Sequence, residues 1–452
     1  MTDRREDPVV ITGLAVEAPG GIDTAEKYWA LLAQGREALS RIPEDRGWAV
    51  GELIEGSHRD GFKPLVNAGG FLDGAAEFDP GFFGIAPREA LAMDPQQRVA
   101  LRVAWRALED AGVNPGELTG HDVGVYLGAS ITGYGPDMAQ FNAHSGHLLP
   151  GTALSVISGR IAYTLGLSGP ALTVDTSCSS ALSALHLAVR ALEHGDVDMA
   201  LAGGVCVMGS PGFFIEFSKQ HALSDDGHCR PYSAEATGTV WSEGAGIFVL
   251  QRKSAALRDR RYIYGEILAS RLNQDGHTAG LLHPSEPAQR TLFRRALHDA
   301  GVRPEQVGMI EGHGTATRVG DPVELRALNS VYGAQTQSGC RPRLGSVKSN
   351  IGHTQAAAGA LGLTKVLLAA QHQMIPSTLH VGDRWCEAID WDTGAGITLA
   401  DTISAWPADD GQRIGAVSAF GMSGTNAHVI VGVDEISQRG NTPELANRDG
   451  SC

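Results

Sequence analysis

One stretch of small polar residues holds the first side chain able to do covalent chemistry: Val174-Asp175-Thr176-Ser177-Cys178-Ser179-Ser180-Ala181-Leu182. A strand-like approach ends in hydroxyls, and a helix begins at once at Ala181, with Leu182, Leu185, Val189 and Leu192 on one face. A cysteine in that turn sits beside the positive end of the helix and its free N–H groups. Both favour the thiolate, and the thiolate is the nucleophile. The competing account is a buried cysteine acting as a small hydrophobe, the role assigned to Cys206. On this run alone the two accounts are evenly matched.

Three other runs could complete a reaction centre. Glu311-Gly312-His313-Gly314-Thr315-Ala316-Thr317, followed by Gly320-Asp321-Pro322-Val323-Glu324, places a histidine between glycines after an apolar strand. A small backbone there lets the ring reach a cavity. A lone histidine is usually structural, so its weight comes from its companions. In Gly345-Ser346-Val347-Lys348-Ser349-Asn350-Ile351-Gly352-His353-Thr354-Gln355-Ala356-Ala357-Ala358-Gly359, a second histidine stands five positions after a lysine. An amphipathic surface helix would explain a lysine and a histidine, but not so many small residues around them. Ser418-Ala419-Phe420-Gly421-Met422-Ser423-Gly424-Thr425-Asn426-Ala427-His428 suggests a loop whose N–H groups hold an oxyanion. Read alone, an ordinary turn after a strand is the better account of it.

The elements that must position these residues alternate. Strand-like runs fall at residues 9–13, 124–128, 199–204, 246–250, 265–269, 307–311 and 414–418. Helical periodicity falls at 96–111, 181–192, 288–300 and 359–372. Such alternation implies α/β layers around a largely buried sheet, in two halves of similar rhythm that meet between residues 250 and 268. Residues 44–70, rich in Gly, Asp and Arg, read as a surface excursion, and the polar residues from 434 onward as a loose tail.

Composition removes several function classes. Of 452 residues, 36 are Lys or Arg and 51 are Asp or Glu, a formal net charge of −15. A phosphate-binding face needs a basic excess, so nucleic acid is not the expected partner. No run approaches the ~20 apolar residues of a membrane span, and the N-terminus lacks the apolar core of a signal peptide. The cysteines at 178, 206, 229, 340, 386 and 452 form no Cys-x-x-Cys. Neither a disulfide framework nor a zinc site is therefore expected, and a cytoplasmic setting is.

One Cys, two His and one Lys in glycine-rich strand-to-helix turns look like a thioester reaction centre. Together the four runs resemble the β-ketoacyl synthases, most closely the ketosynthase domains of type I modular polyketide synthases. The resemblance covers roughly residues 8–432 and includes Phe78-Asp79-Pro80, Phe82-Phe83-Gly84-Ile85, Met93-Asp94-Pro95-Gln96-Gln97-Arg98 and Asn273-Gln274-Asp275-Gly276. It implies an α/β duplicated thiolase fold with five layers, α-β-α-β-α. The N-terminal half would span 8–260 and carry the cysteine, and the C-terminal half would span 261–435 and carry the histidines and lysine. Residues 436–452 would form a flexible tail.

The resemblance further implies that Cys178 takes an acyl chain from the phosphopantetheine arm of an acyl carrier protein. His313 and His353 would assist decarboxylation of a malonyl-type extender and stabilise the enolate and oxyanion, with Lys348 orienting the network. The N–H groups of Cys178 and Phe420 match the family's oxyanion hole, with the Phe420 ring near the acyl entrance. A homodimer is implied, with no metal, no bound organic cofactor, no nucleic acid and no membrane.

Four departures from the family's pattern imply a reshaped pocket. His-Gly-Thr-Gly-Thr is here His313-Gly314-Thr315-Ala316-Thr317, and Thr-Ala-Cys-Ser-Ser is Thr176-Ser177-Cys178-Ser179-Ser180. Ala-Asp-Gly-Thr-Gly-Phe/Trp-Gly-Glu-Gly is Ala236-Thr237-Gly238-Thr239-Val240-Trp241-Ser242-Glu243-Gly244, and Ser-Ser-Phe-Gly is Ser418-Ala419-Phe420-Gly421. The pocket candidates are Ser177, Thr315, Ala316, Thr317, Val240, Asn350, Gly421 and Met422.

The leading expectation is a discrete ketosynthase that forms a carbon–carbon bond on a carrier-bound chain in secondary-metabolite biosynthesis. The same residues permit an offloading cyclase that closes a ring by intramolecular aldol attack and releases a β-lactone. They also permit an ester- or amide-forming acyltransferase. An intact Cys178 with both histidines counts against a non-catalytic chain-length-factor-like partner. Arg252, Lys253, Arg258, Arg260 and Arg261 cluster in sequence and are candidates to receive an acidic carrier; a solvated charged loop explains them at least as well.

Overall fold

Strands buried on both faces appear in sequence as nearly unbroken apolar runs. β1 (Val9–Glu17) and β2 (Val123–Gly128) are of this kind, each buried along its length. β3 (Ala171–Val174) is a half-exposed edge, and β4 (Met199–Cys206) and β5 (Gly244–Arg252) are again buried. Then follow β6 (Gly265–Gln274), β7 (Val307–Glu311), β8 (Arg343–Gly345), β9 (Thr398–Leu399), β10 (Gln412–Phe420) and β11 (Thr425–Asp434). The main helices are α1 (Pro95–Asp110), α2 (Val156–Leu165), α3 (Ser180–His194), α4 (Glu286–Ala300), α5 (Gly320–Tyr332) and α6 (Ala358–Gln371). The computed structural model describes residues 7–136, 139, 146–333, 341–382 and 396–435; the tail expected at 436–452 lies outside them. Among the described residues no helix is long and apolar enough to cross a membrane.

The sheet runs β9-β8-β7-β10-β11-β6-β1-β5-β4-β2-β3. Outward from the centre, β1–β5 and β5–β4 are antiparallel, while β4–β2 and β2–β3 are parallel. The other half repeats the pattern: β6–β11 and β11–β10 are antiparallel, β10–β7 and β7–β8 parallel. The chain order β1-α1-β2-α2-β3-α3-β4-β5 is likewise matched by β6-α4-β7-α5-β8-α6-β10-β11. The halves join where Val10 and Ile11 pair antiparallel with Glu266 and Gly265, making one continuous sheet of 11 strands.

α3 packs on β2 and β4 and also reaches β6 and β11; α6 packs on β7 and β10 and also reaches β4 and β5. These two helices therefore fill the central layer, and their apolar faces form one core with the inner sides of both sheet halves. α1 and α2 cover one outer face, α4 and α5 the other, each over its own core. The result is the five-layer α-β-α-β-α arrangement. At Gly359 a Cβ would lie 2.4 Å from Leu182 Cγ, so the close approach of α6 to α3 needs a residue without a side chain.

Residues 44–70 run mostly over the surface but are anchored to the body of the fold. The Arg46 guanidinium grips the buried Glu243 carboxylate through two bonds of 2.8 and 2.9 Å, and Lys63 Nζ donates to the Thr237 carbonyl at 2.8 Å. The segment is thereby tied to the residues leading into β5.

Candidate active site

β3 ends at Val174 and α3 starts at Ser180, and the five residues between them bend sharply around Cys178. Ser177 adopts φ 60°, a left-handed conformation uncommon for a residue with a side chain. Hydroxyls hold the bend in place. Ser180 Oγ accepts the Thr176 N–H at 2.9 Å, Ser179 Oγ donates to the Thr176 carbonyl at 2.9 Å, and the Thr176 and Ser183 hydroxyls meet at 2.9 Å. Asp175 receives the Ser177 N–H at 2.9 Å. The density of Ser and Thr in this run is thus a polar scaffold for the turn.

His313 follows β7, and its partners come from α5. Glu324 accepts the N–H groups of His313 at 2.6 Å and Gly314 at 2.8 Å, and the Tyr232 hydroxyl at 3.1 Å. His353 follows the short helix Lys348–Ile351. Its N–H donates to the Val240 carbonyl at 2.7 Å, its own carbonyl accepts the Ser242 N–H at 2.9 Å, and its ring lies 5.2 Å from that of Trp241. The altered segment 236–244 is therefore a backbone splint for His353.

These separate pieces converge. His353 Nε2 lies 3.1 Å from Cys178 Sγ, and the His313 and His353 rings meet edge-on at 5.5 Å. The Phe420 ring is 5.4 Å from that of His313. Lys348 is buried, and its charge acts on the thiol and on both imidazoles. Gly421 brings the loop after β10 against the nucleophile turn: a Cβ there would lie 2.0 Å from the Thr176 carbonyl oxygen.

Electrostatics set the resting protonation states. Burial pushes the Cys178 thiol above its ordinary value; the Ser177 hydroxyl, the Lys348 charge and the N–H groups of Cys178 and Met422 pull the other way without offsetting it. Burial therefore opposes the thiolate that the helix end favours. Burial, reinforced by Lys348, holds both His313 and His353 well below the usual histidine range, so both rings are neutral at pH 7. His353 Nδ1 accepts the Gln355 N–H at 3.2 Å, which leaves the ring proton on Nε2, facing the sulfur. Nearby, burial raises the Glu324 carboxyl and pushes that of Asp321 up to about 7.

A cavity of about 580 Å3 opens over this group. Ser177, Cys178, His313, Thr315, Thr317, His353, Phe420, Gly421 and Met422 line it. Val240, Ala316 and Asn350 do not. Val240 and Ala316, the latter at φ 61°, turn into a small buried cluster with Cys229 and Ala236. The Asn350 side chain donates to the Arg36 carbonyl at 3.0 Å. Trp241, Phe213 and Phe217 line the cavity instead, and sequence reasoning gave them no role. It also gave none to Glu324, although two acids three apart, Asp321 and Glu324, fall on one helix face beside the His313 run.

The basic cluster is elsewhere. Cys178 lies just past the end of β3 at Val174, level with Gly128 and Gly204, whereas Arg252 lies at the opposite end of β5, level with Val9. Its charges are also engaged: Arg252 with Asp198 at 3.3 Å, Lys253 with Glu266 at 2.9 Å, and Arg258 with Asp259 at 3.0 Å. It is not at the mouth of the cavity.

A duplicated α/β fold with a Cys–His–His group between its halves defines an acyl-thioester enzyme of the condensing type. The chain belongs to the β-ketoacyl synthase family: residues 6–256 match the family's N-terminal domain and 264–382 its C-terminal domain. It is 48% identical over 449 residues to erythronolide synthase EryA3 of Saccharopolyspora erythraea, covering 99% of this chain and 14% of that protein. It is 46% identical over 432 residues to mycoketide-CoA synthase of Mycobacterium tuberculosis, covering 95% of this chain and 10% of that protein. The chain thus spans a small part of these curated relatives. Among solved structures, the ketosynthase from module 6 of the bacillaene synthase of Bacillus subtilis 168 superposes with a TM-score of 0.85 at 38% identity, over 94% of this chain and 72% of that one. The oxazolomycin ketosynthase domain OzmH KS7 of Streptomyces albus JA3453 gives 0.86 at 36%, over 94% and 75%.

Proposed function

We propose that the protein extends a carrier-bound polyketide chain by decarboxylative Claisen condensation through an acyl-Cys178 intermediate. The observation that carries this reading is the 3.1 Å contact between Cys178 Sγ and a neutral His353, with His313 at the other side of the same cavity. In the first step the sulfur attacks the carrier thioester, and the thiol proton ends on the departing phosphopantetheine thiolate. The N–H groups of Cys178 and Phe420 receive the oxyanion of that step.

In the second step a malonyl-type thioester loses carbon dioxide, and the electron pair left on its α-carbon attacks the acyl-enzyme carbonyl. The N–H groups of His313 and His353 hold the thioester oxygen as negative charge develops on it. The carbon–sulfur bond to Cys178 breaks, and the sulfur takes a proton from solvent. Lys348 adds a fixed positive charge beside these anions. Glu324 and Gln355 position the two histidines through the His313 N–H and His353 Nδ1.

The partner is an acyl carrier protein or carrier domain, whose phosphopantetheine arm brings substrate to the cavity. A homodimer is supported by the edge strand β3, where Leu172 is 47% exposed on a strand paired on one side only. A reducing cytoplasm suits a centre that depends on a free Cys178 thiol.

The test is to incubate the protein with an acyl-loaded carrier, with and without a malonyl-loaded carrier, and to weigh the products. Carrier-bound product that needs the malonyl carrier and is heavier by the extender minus carbon dioxide supports elongation. Free product without malonyl, isomeric with or severed from the tethered chain, would instead make this an offloading cyclase.

A further inference from the structure

Glu37, His228 and His380 lie outside the cavity, the two histidines 191 and 343 positions after Glu37, yet their side chains meet at one point. His228 Nδ1 is 2.9 and 3.0 Å from the two carboxylate oxygens of Glu37, and His380 Nε2 is 3.0 Å from one of them. The ligating atoms of all three lie within 4.8 Å of one another. We propose that Glu37, His228 and His380 form a three-ligand site for a divalent transition-metal ion of the zinc class, with a fourth position open to solvent.

The donor set is two imidazoles and one carboxylate, the ligand types that suit such ions. Bonds of ~2.0–2.2 Å in a tetrahedron separate the donor atoms by roughly 3.4 Å. The two Glu37–histidine separations need only a few tenths of an ångström of opening to reach that, and the two histidine nitrogens lie within 4.8 Å of each other. The side chains are 20% exposed at Glu37, 25% at His380 and 39% at His228, so an ion has access from solvent. The nearest basic residue on the same loop, Arg230, is already paired with Asp226 and does not compete for Glu37.

Two features go beyond an incidental ion pair. His380 is held at φ 59°, a strained backbone state of the kind that gathers at ligand clamps. The two imidazole rings are tilted at 39° with centroids 4.5 Å apart, and each presents a nitrogen to the same carboxylate. His228 is fixed from behind, its N–H donating to Asp226 at 3.2 Å.

The site also borders the catalytic segment. The residues flanking Glu37 bind Asn350: the Ala38 N–H donates to its carbonyl at 2.7 Å, and its side chain donates to the Arg36 carbonyl at 3.0 Å. Leu379, next to His380, donates its N–H to Ser349 Oγ at 2.9 Å. An ion joining Glu37 to His380 therefore clamps both sides of the helix Lys348–Ile351, on which the catalytic lysine sits. Bound metal stiffens that helix without entering the cavity.

Cys178, His313 and His353 are a second set of converging metal-binding atoms, so the test is run in a Cys178→Ala background. Chelator-treated protein is titrated with cobalt(II) and read by visible absorption and by thermal melting. The expected result is one cobalt per chain, displaced by zinc, with no thiolate charge-transfer band and a raised melting temperature. Adding His228→Arg, which keeps a cation for Glu37 but has no lone pair to donate, weakens binding at least tenfold while the metal-free melt stays near that of the parent. Glu37→Gln, which preserves the shape of the carboxylate, does the same. The proposal fails if no cobalt binds, or if binding survives unchanged in both variants.

Discussion

His353 Nε2 lies 3.1 Å from Cys178 Sγ, while its Nδ1 accepts the Gln355 N–H at 3.2 Å. The second contact determines the first, because a ring that accepts at Nδ1 carries its proton on Nε2. With burial and the Lys348 charge both opposing protonation, the ring remains a neutral donor. In the proposed reaction His353 therefore serves as a hydrogen-bond donor toward sulfur and substrate oxygen, not as a base that removes the thiol proton.

That role predicts a ranking. His353→Gln retains an N–H donor and keeps activity about tenfold or more above His353→Ala, the usual worth of one donor at an oxyanion. A base would be lost equally in both. Steady-state rates of carrier-bound product for the two variants decide between these roles.

Desolvation raises the half-buried Cys178 thiol above its ordinary value, and Lys348 is one of the groups that restrain the rise. The rate of Cys178 alkylation by iodoacetamide should still be climbing at pH 9. Lys348→Met removes a stabilising charge, so its profile moves to higher pH and its rate at pH 7 falls. Mass-spectrometric rates across pH 6–10 test the direction.

Glu324 holds the His313 loop by accepting the N–H groups of His313 and Gly314 at 2.6 and 2.8 Å. Glu324→Ala frees the His313 loop and leaves the Cys178 turn intact. Condensation should fall by about tenfold or more, consistent with second-layer partners elsewhere. Loading of Cys178 from an acyl carrier should change much less, and comparing the two half-reactions separates positioning from unfolding.

Asp94 caps α1 through the Gln96 N–H at 2.8 Å, yet burial pushes its carboxyl from 3.8 up to about 6. The folded state holds this proton more tightly than the unfolded chain. Its contribution to stability is therefore complete below about pH 4 and declines as pH rises through about 6. Asp94→Asn keeps the acceptor without the charge. It should be about 3 kcal/mol more stable than the parent at pH 8, with little gain at pH 4, in urea unfolding at the two pH values.

Much of this arrangement was legible in the residues. Long apolar runs such as 9–13 and 199–204 mark central strands because both of their faces are covered. Cys178, His313 and His353 stand out because glycines and small hydroxyl residues surround them. β8, only three residues long, was not visible, since its position is fixed by its neighbour β7 and not by its own pattern. The roles of Glu324, Trp241 and the Arg46–Glu243 grip were hidden for a related reason: each depends on a partner distant in sequence. Ala316 was noticed as a departure but misplaced, because its left-handed φ turns the methyl away from the cavity.

In the proposed reaction Cys178 carries the chain that a malonyl unit then removes. Intact-protein mass spectrometry during a single turnover reads this step itself. The expected result is an acyl adduct, mapped to the peptide bearing Cys178 and absent in Cys178→Ala, that persists until malonyl carrier is added and then discharges into carrier-bound extended product. An adduct that discharges equally fast without malonyl carrier, or one that forms in Cys178→Ala, would contradict it.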